Sequence, residues 1–266
     1  MAFENKLKRK LLARQPAIGC WLSTGSPIAA EIIANAGYDS VVIDHEHGPG
    51  DLLNAISLMQ AVGEMGPTCM MRVPWNDMVY IKRALDSGVM GVLVPYVQNA
   101  KEAKAAVDAC RYPLKGMRGV APHAARCSRW GLRLDEYMAA VPQELLIMVQ
   151  IETAEAVDNI EAIAAVDGVD MLFLGPSDLS ASIGKLGQVN DPEAVALIEK
   201  AEAKMRKSGK LMGTVTRPGK SLNWTFDQGY DYVIATSDFT LIRTAATAQV
   251  SGFRSDPPKP AGRRAG

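Results

Sequence analysis

Four stretches of this 266-residue chain pass directly from apolar residues into side chains able to bind a metal or move a proton. The first is Val41-Val42-Ile43-Asp44-His45-Glu46-His47, where four ionisable groups follow one another. Its His-x-His pair could ligate zinc as well as exchange protons; the structural alternative is a charged surface turn. The second, Met70-Met71-Arg72-Val73-Pro74, delivers an arginine into apolar surroundings, where a guanidinium needs a salt-bridge partner or an anionic substrate. The third and fourth, Val149-Gln150-Ile151-Glu152-Thr153 and Phe173-Leu174-Gly175-Pro176-Ser177-Asp178, each end on a carboxylate. On neighbouring strands, about 4.8 Å apart, Glu152 and Asp178 can reach one ion. Two carboxylates with room for water and substrate oxygens suit Mg2+ or Mn2+. A metal-free acid–base pair of the glycosidase kind is the competing chemistry. Arg72 and the histidines favour an anionic substrate over a neutral sugar. The Gly175-Pro176-Ser177-Asp178 turn also offers N–H groups at a helix start, a cradle for carboxylate or phosphate.

These residues act together only if the fold gathers the ends of their segments. Short apolar, β-rich runs recur at Ala17–Leu22, 40–43, 68–73, 89–94, 145–151, 169–174, Leu211–Val215 and 232–235. Helix-like stretches lie between them at 27–36, Leu52–Val62, 79–86, Ala100–Cys110, 154–165 and 193–207. Gly37, Gly88, Gly209 and Gly229 each follow a helical pattern and precede a strand, where a left-handed C′ residue is wanted. Eight such βα units predict an α/β fold, a single-domain (β/α)8 TIM barrel rather than an open doubly wound sheet, with its active site at the C-terminal strand ends. Residues 1–14 carry Phe3, Leu7, Leu11 and Leu12 on one stripe and predict an N-terminal helix. The long 113–130 loop after the fourth strand reads as a lid or interface element. The barrel spans 1–250, and the Pro-, Gly- and Arg-rich 251–266 segment is expected to be disordered or to contact a partner.

Composition narrows the function. Twenty-nine basic and twenty-nine acidic side chains cancel, which argues against a nucleic-acid partner. No run of about 18 apolar residues and no signal-peptide pattern appear, so neither a membrane span nor export is expected. Cys20, Cys69, Cys110 and Cys127 show no C-x-x-C spacing and read as reduced thiols, which fits the cytoplasm. No lysine lies in the inner part of the predicted strands, Lys210 falling at the bottom of the seventh. That disfavours a Schiff base and favours a metal.

At these segments the chain resembles the HpcH/HpaI family of metal-dependent (class II) pyruvate aldolases over about residues 18–246. Further matching segments are Ile18-Gly19-Cys20-Trp21, Arg72-Val73-Pro74-Trp75-Asn76-Asp77, Leu93-Val94-Pro95 and Gly116-Met117-Arg118-Gly119-Val120. The resemblance implies reversible cleavage of a 4-hydroxy-2-oxo acid to pyruvate or hydroxypyruvate plus an aldehyde. It implies one divalent ion (Mg2+ or Mn2+, with Co2+ a further candidate) on Glu152 and Asp178, and no nucleotide cofactor. Arg72 is implied to stabilise the enolate, His47 to be the base, and Asp86 to pair with His47. Gln150 is implied to stand behind the metal, Trp21 to wall the site, and the backbone at Gly175 and Ser177 to cradle the carboxylate. His45 departs from the family pattern and, with Asp44 and His123, is a candidate modifier. The stretches around Pro122-His123 and Thr216-Arg217-Pro218 also depart, so the aldehyde does not carry over. A homohexamer, a trimer of dimers exchanging a C-terminal helix, is implied as well. Two other readings remain at this level. One is a citrate-lyase-type C–C lyase or 2-oxo-acid decarboxylase; the other is a catalytically silent, acid-binding barrel.

Overall fold

Polar side chains punctuate the chain. Ser26, Asp51, Asp77, Asn99, Thr153, Asp191 and Ser221 each accept a hydrogen bond from a backbone N–H in the first turn of the helix they precede. At the other ends, Gly37, Gly88, Gly209 and Gly229 all take positive φ, as their positions after helices require. Between these stops, a computed structural model describes residues 3–64 and 66–255.

The elements run α1 (Lys6–Leu12), β1 (Ala17–Leu22), α2 (Pro27–Asn35), β2 (Ser40–Asp44), α3 (Leu52–Val62), β3 (Thr68–Arg72), α4 (Met78–Ser87), β4 (Gly91–Val94) and α5 (Ala100–Cys110). They continue with α6 (Leu134–Glu144), β5 (Leu146–Ile151), α7 (Ala154–Asp158), α8 (Ile160–Ala164), β6 (Met171–Leu174) and α9 (Pro176–Ala181). Last come α10 (Pro192–Ser208), β7 (Leu211–Val215), α11 (Leu222–Asp227), β8 (Tyr232–Ser237) and α12 (Asp238–Ser255). The strands pair in parallel in sequence order, and β8 closes on β1. This is the expected (β/α)8 barrel.

Strand periodicity decides which side chains face inward. Ala17, Val42, Met70, Leu93, Leu146, Met148, Met171, Phe173, Leu211, Tyr232 and Ile234 fill the barrel interior. A larger apolar layer, including Val41, Ile43, Met71, Val92, Val149 and Leu172, packs the outer strand faces against the helices. Helix α1 closes the bottom: Leu7 and Leu11 are fully buried against the interior set, each side chain contributing roughly 1.5–3 kcal/mol. Asn5 Nδ2 donates to the carbonyls of Met90 and Glu144 at 2.8 and 2.9 Å, and Lys8 Nζ to that of Leu145 at 2.6 Å.

Three local features differ from the sequence reading. The helix expected over 154–165 breaks at Asn159, whose side-chain amide donates to the carbonyl of Gln98 at 2.9 Å; an Asn bonded sideways offers the chain an alternative to the helix. The long segment after β4 holds two 3-10 turns, Pro122–Ala124 and Arg126–Ser128, and then α6. Helix α12 reaches Ser255 and so enters the segment expected as a tail; residues 256–266 lie outside the described ones. No helix among the described residues is long and apolar enough to cross a membrane.

Candidate active site

Counting in twos along the strands builds the site. Val42 faces inward on β2, so Asp44 does too; Met70 on β3 sets Arg72 inward; Leu146 and Met148 on β5 lead to Gln150 and then Glu152. On β6, Met171 and Phe173 lead to Gly175, and Trp21 ends the inward row of β1. The layer above the apolar filling is therefore polar, and it opens at the C-terminal mouth.

Arg72 is held from three sides. Its Nε and Nη2 donate to Oδ1 and Oδ2 of Asp44 at 2.9 and 2.8 Å, a bidentate pair. Its Nη1 lies 2.9 Å from Glu46 Oε2, an ion pair by proximity without hydrogen-bond alignment. Its guanidinium sits 4.4 Å from the ring centroid of Trp21. Burial pushes the Asp44 carboxyl up, but the Arg72 hydrogen bonds and charge outweigh that and hold it below the usual range. Asp44 Oδ1 also accepts from the N–H groups of Glu46 and His47 at 3.2 and 3.3 Å. One carboxylate thus orients the arginine and the turn that bears the histidines.

Glu152 is 2% exposed. Its Oε1 accepts from the backbone N–H of Tyr96 at 2.7 Å, and its Oε2 from Gln150 Nε2. A Cβ on Gly175 would stand 2.7 Å from Oε2, so glycine leaves the space this carboxylate occupies. Burial, with Glu46 and Asp178 adding repulsion against the Tyr96 hydrogen bond, pushes Glu152 up to about 7. Burial likewise raises Glu46, with Arg72 opposing and Asp44 and Asp178 reinforcing. Asp178 is exposed in the first turn of α9. Asp44 and Glu46 pair with the Arg72 guanidinium, while Glu152 feels the like charges of Glu46 and Asp178. The mouth is short of positive charge, and Gln150 Oε1 is buried without a hydrogen-bond partner. Glu152 and Asp178 are the hard oxygen donors that could hold a divalent cation there. Among the described residues no group of three or more His, Cys, Asp or Glu side chains is placed to hold a metal ion by itself. Water and substrate oxygens would complete the coordination.

The remaining predicted residues are placed differently. His47 projects from the mouth, its side chain 66% exposed, with Nε2 3.9 Å from Glu46 Oε2. His45 turns toward the bend before α3; its Nε2 is buried and unbonded, and burial lowers its pKa against the raising effect of Asp44 and Asp51. His123 is exposed in the first 3-10 turn. The N–H of Gly175 donates to the Ile151 carbonyl at 3.1 Å, so its service is space rather than a donor for a ligand. Ser177 is exposed one residue before Asp178, with its carbonyl accepting from Ser180 Oγ at 2.8 Å.

Asp86 is not brought to His47 within one chain. It lies in the last turn of α4, which returns toward the bottom, and pairs with the fully buried Arg118 at 2.7 Å. Arg217, in the unusual stretch after β7, turns away from the mouth. It pairs with buried Glu202 at 3.1 Å and lies 4.7 Å from the Trp224 ring, while the Tyr230 hydroxyl donates to the same Glu202 oxygen. Two contributors were not singled out from the sequence. Glu46 stood in the ionisable run, but charge alone does not separate it from its neighbours. The Tyr96 N–H is a backbone donor and leaves no mark on residue type.

A parallel barrel with buried carboxylates and a clamped arginine at its C-terminal mouth has the architecture of a barrel enzyme. Within that class, residues 17–245 match the HpcH/HpaI aldolase/citrate lyase model, and the chain belongs to this family. It is 41% identical over 250 residues to the 4-hydroxy-2-oxo-heptane-1,7-dioate aldolase of Escherichia coli, covering 94% of this chain and 95% of that protein. It is 40% identical over 257 residues to the hydroxypyruvate/pyruvate aldolase of Cupriavidus necator, covering 97% and 95%. The crystal structure of a family member from Burkholderia cenocepacia superposes with a TM-score of 0.89 at 33% identity, covering 94% of this chain and 99% of that one.

Proposed function

We propose that this chain is a class II aldolase that cleaves a 4-hydroxy-2-oxo acid to pyruvate or hydroxypyruvate plus an aldehyde, and runs the reverse addition. The supporting observation is the charge deficit of the mouth. Glu152, Asp178 and Glu46 repel one another beside an arginine already matched by Asp44. Glu152 and Asp178 would hold a divalent ion, Mg2+ or Mn2+ by donor type, which would supply Lewis-acid polarisation of the keto group. Arg72, pre-oriented by Asp44, presents positive charge where the keto oxygen becomes an enolate oxygen. Trp21, beneath Arg72, walls the same space. His47, exposed at the rim, takes the proton from the C4 hydroxyl, directly or through water, and returns it in the synthetic direction. Pairing of His47 with Asp86 requires a second copy of the chain, because within one copy Asp86 is at the far end of α4. Self-association is supported by α12, where Phe239, Leu241, Ile242, Val250 and Phe253 are exposed; a hexamer is the state to look for. The aldolase reading is favoured over an acyl-CoA lyase by relatives at 40–41% identity that are named as aldolases.

The test is pyruvate release from a 4-hydroxy-2-oxo acid before and after exhaustive chelation. Release should vanish with the metal and return on adding Mn2+. Turnover that survives complete metal removal would sink the metal-dependent reading.

A further inference from the structure

The backbone at Tyr96 is unusual. This residue, two past the end of β4, sits at φ +57, in the left-handed region that an aromatic L-residue rarely adopts. Such conformations persist where surrounding contacts over-determine them. Burial does not do so here, because Tyr96 is 42% exposed and its neighbour Trp75 is 52% exposed. Its ring is braced by a stack: the Tyr96 and Trp75 rings lie 5.5 Å apart between centroids with an interplanar angle of 27°. The N–H of this same residue donates to Glu152 Oε1 at 2.7 Å. The other oxygen, Oε2, is fixed by Gln150 and by the space at Gly175, so the Tyr96 N–H is the second point that sets the carboxylate plane. Trp75 follows Arg72 by three residues, and the stack therefore ties the loop leaving β3 to the donor that aims Glu152.

We propose that Tyr96, held in place by stacking on Trp75, is a positioning residue for the Glu152 carboxylate, and through it for the divalent ion. This rests on the metal reading given above. It predicts that trimming either exposed ring acts on ion affinity rather than on folding. Hydrogen-bonded groups behind a metal ligand typically affect affinity by about 10- to 100-fold, and loss of the stack should fall near the lower end, about tenfold.

The experiment is Mn2+ titration, by calorimetry and by the free-ion paramagnetic resonance signal, of the full chain and of Trp75→Ala, Trp75→Phe, Tyr96→Ala and Glu152→Gln. Both alanine variants should bind Mn2+ about tenfold more weakly than the parent, with kcat largely recovered at saturating Mn2+. Trp75→Phe, which keeps a ring to stack on, should restore most of the affinity, and melting temperatures should barely move. Unchanged affinity in Trp75→Ala and Tyr96→Ala beside a tight parent overturns the inference and leaves the metal reading intact. So does a kcat loss that saturating Mn2+ does not repair. A parent that binds no Mn2+, with Glu152→Gln indistinguishable from it, overturns the metal reading itself.

Discussion

Protons and the divalent ion should compete for Glu152, and the competition has a calculable size. The carboxyl is buried, faces Glu46 and Asp178, and is pushed up to about 7. An ion needs the ionised form, so apparent affinity scales with the ionised fraction, about one-tenth at pH 6 and nine-tenths at pH 8. The apparent Kd for Mn2+ should therefore fall about tenfold between those pH values, equivalent to about 1.4 kcal/mol. Calorimetry in two buffers of different ionisation heat counts the protons: about 0.9 released per ion at pH 6 and about 0.1 at pH 8. The same group acts on the metal-free fold. Between about 4.5 and 7 the folded protein keeps a proton that the unfolded chain has released, so its stabilising effect is complete below 4.5 and is lost as pH rises through 7. The metal-free protein should melt lower at pH 8 than at pH 5, by an amount bounded at about 3 kcal/mol, and Mn2+ should reverse that loss. A Kd that is flat from pH 6 to 8, with no proton release at pH 6, would refute the reasoning.

Other perturbations separate the remaining roles. Arg72→Ala and Glu152→Ala should each lower kcat/KM for retro-aldol cleavage by at least about 100-fold, while His45→Ala keeps measurable turnover. An inactive His45→Ala beside an active His47→Ala would reverse the assignment of the base. Asp44→Ala leaves Arg72 with Glu46 as its remaining ion-pair partner and unpairs two N–H donors; chemical denaturation should register a loss of about 1–3 kcal/mol, the scale for leaving buried hydrogen-bonding groups unsatisfied, and an unchanged stability would contradict it. Arg217→Ala should destabilise through unpaired Glu202 while leaving aldehyde preference unchanged across an acceptor panel; a changed preference would place Arg217 at the substrate after all.

The barrel was legible because its strands are near-continuous apolar runs stopped by capping residues and glycines, all of which act locally. The inward layer was legible for a related reason: a period of two carries Val42 to Asp44, Met70 to Arg72 and Met148 to Gln150 and Glu152. What escaped depends on partners distant in sequence. Asp86 is an ordinary helix carboxylate until Arg118 is folded against it, and Arg217 looks like a loop cation until Glu202 and Trp224 surround it. The helix at 134–144 was not singled out from the sequence: Pro142 lies inside it and Tyr137 is its one buried residue. Gly175 kept its place at the site, but its use changed, since its N–H is committed to Ile151.

The plug beneath the barrel has a bearing on the order in which the molecule can be assembled. Asn5 and Lys8 bond to groups 139 and 137 residues further along, and Leu7 and Leu11 rest on side chains from strands as late as β8. Residues made before everything they touch must wait, with their apolar stripe uncovered, until most of the chain has left the ribosome. Domains generally fold as units during synthesis at about 5–20 residues per second, so that wait lasts on the order of ten seconds or more. The basic side chains Lys6, Arg9 and Lys10 on this helix, with Arg14 just beyond it, keep the waiting segment solvated. The first helix of the chain is thus a late arrival in the fold, and it closes the end of the barrel opposite the mouth.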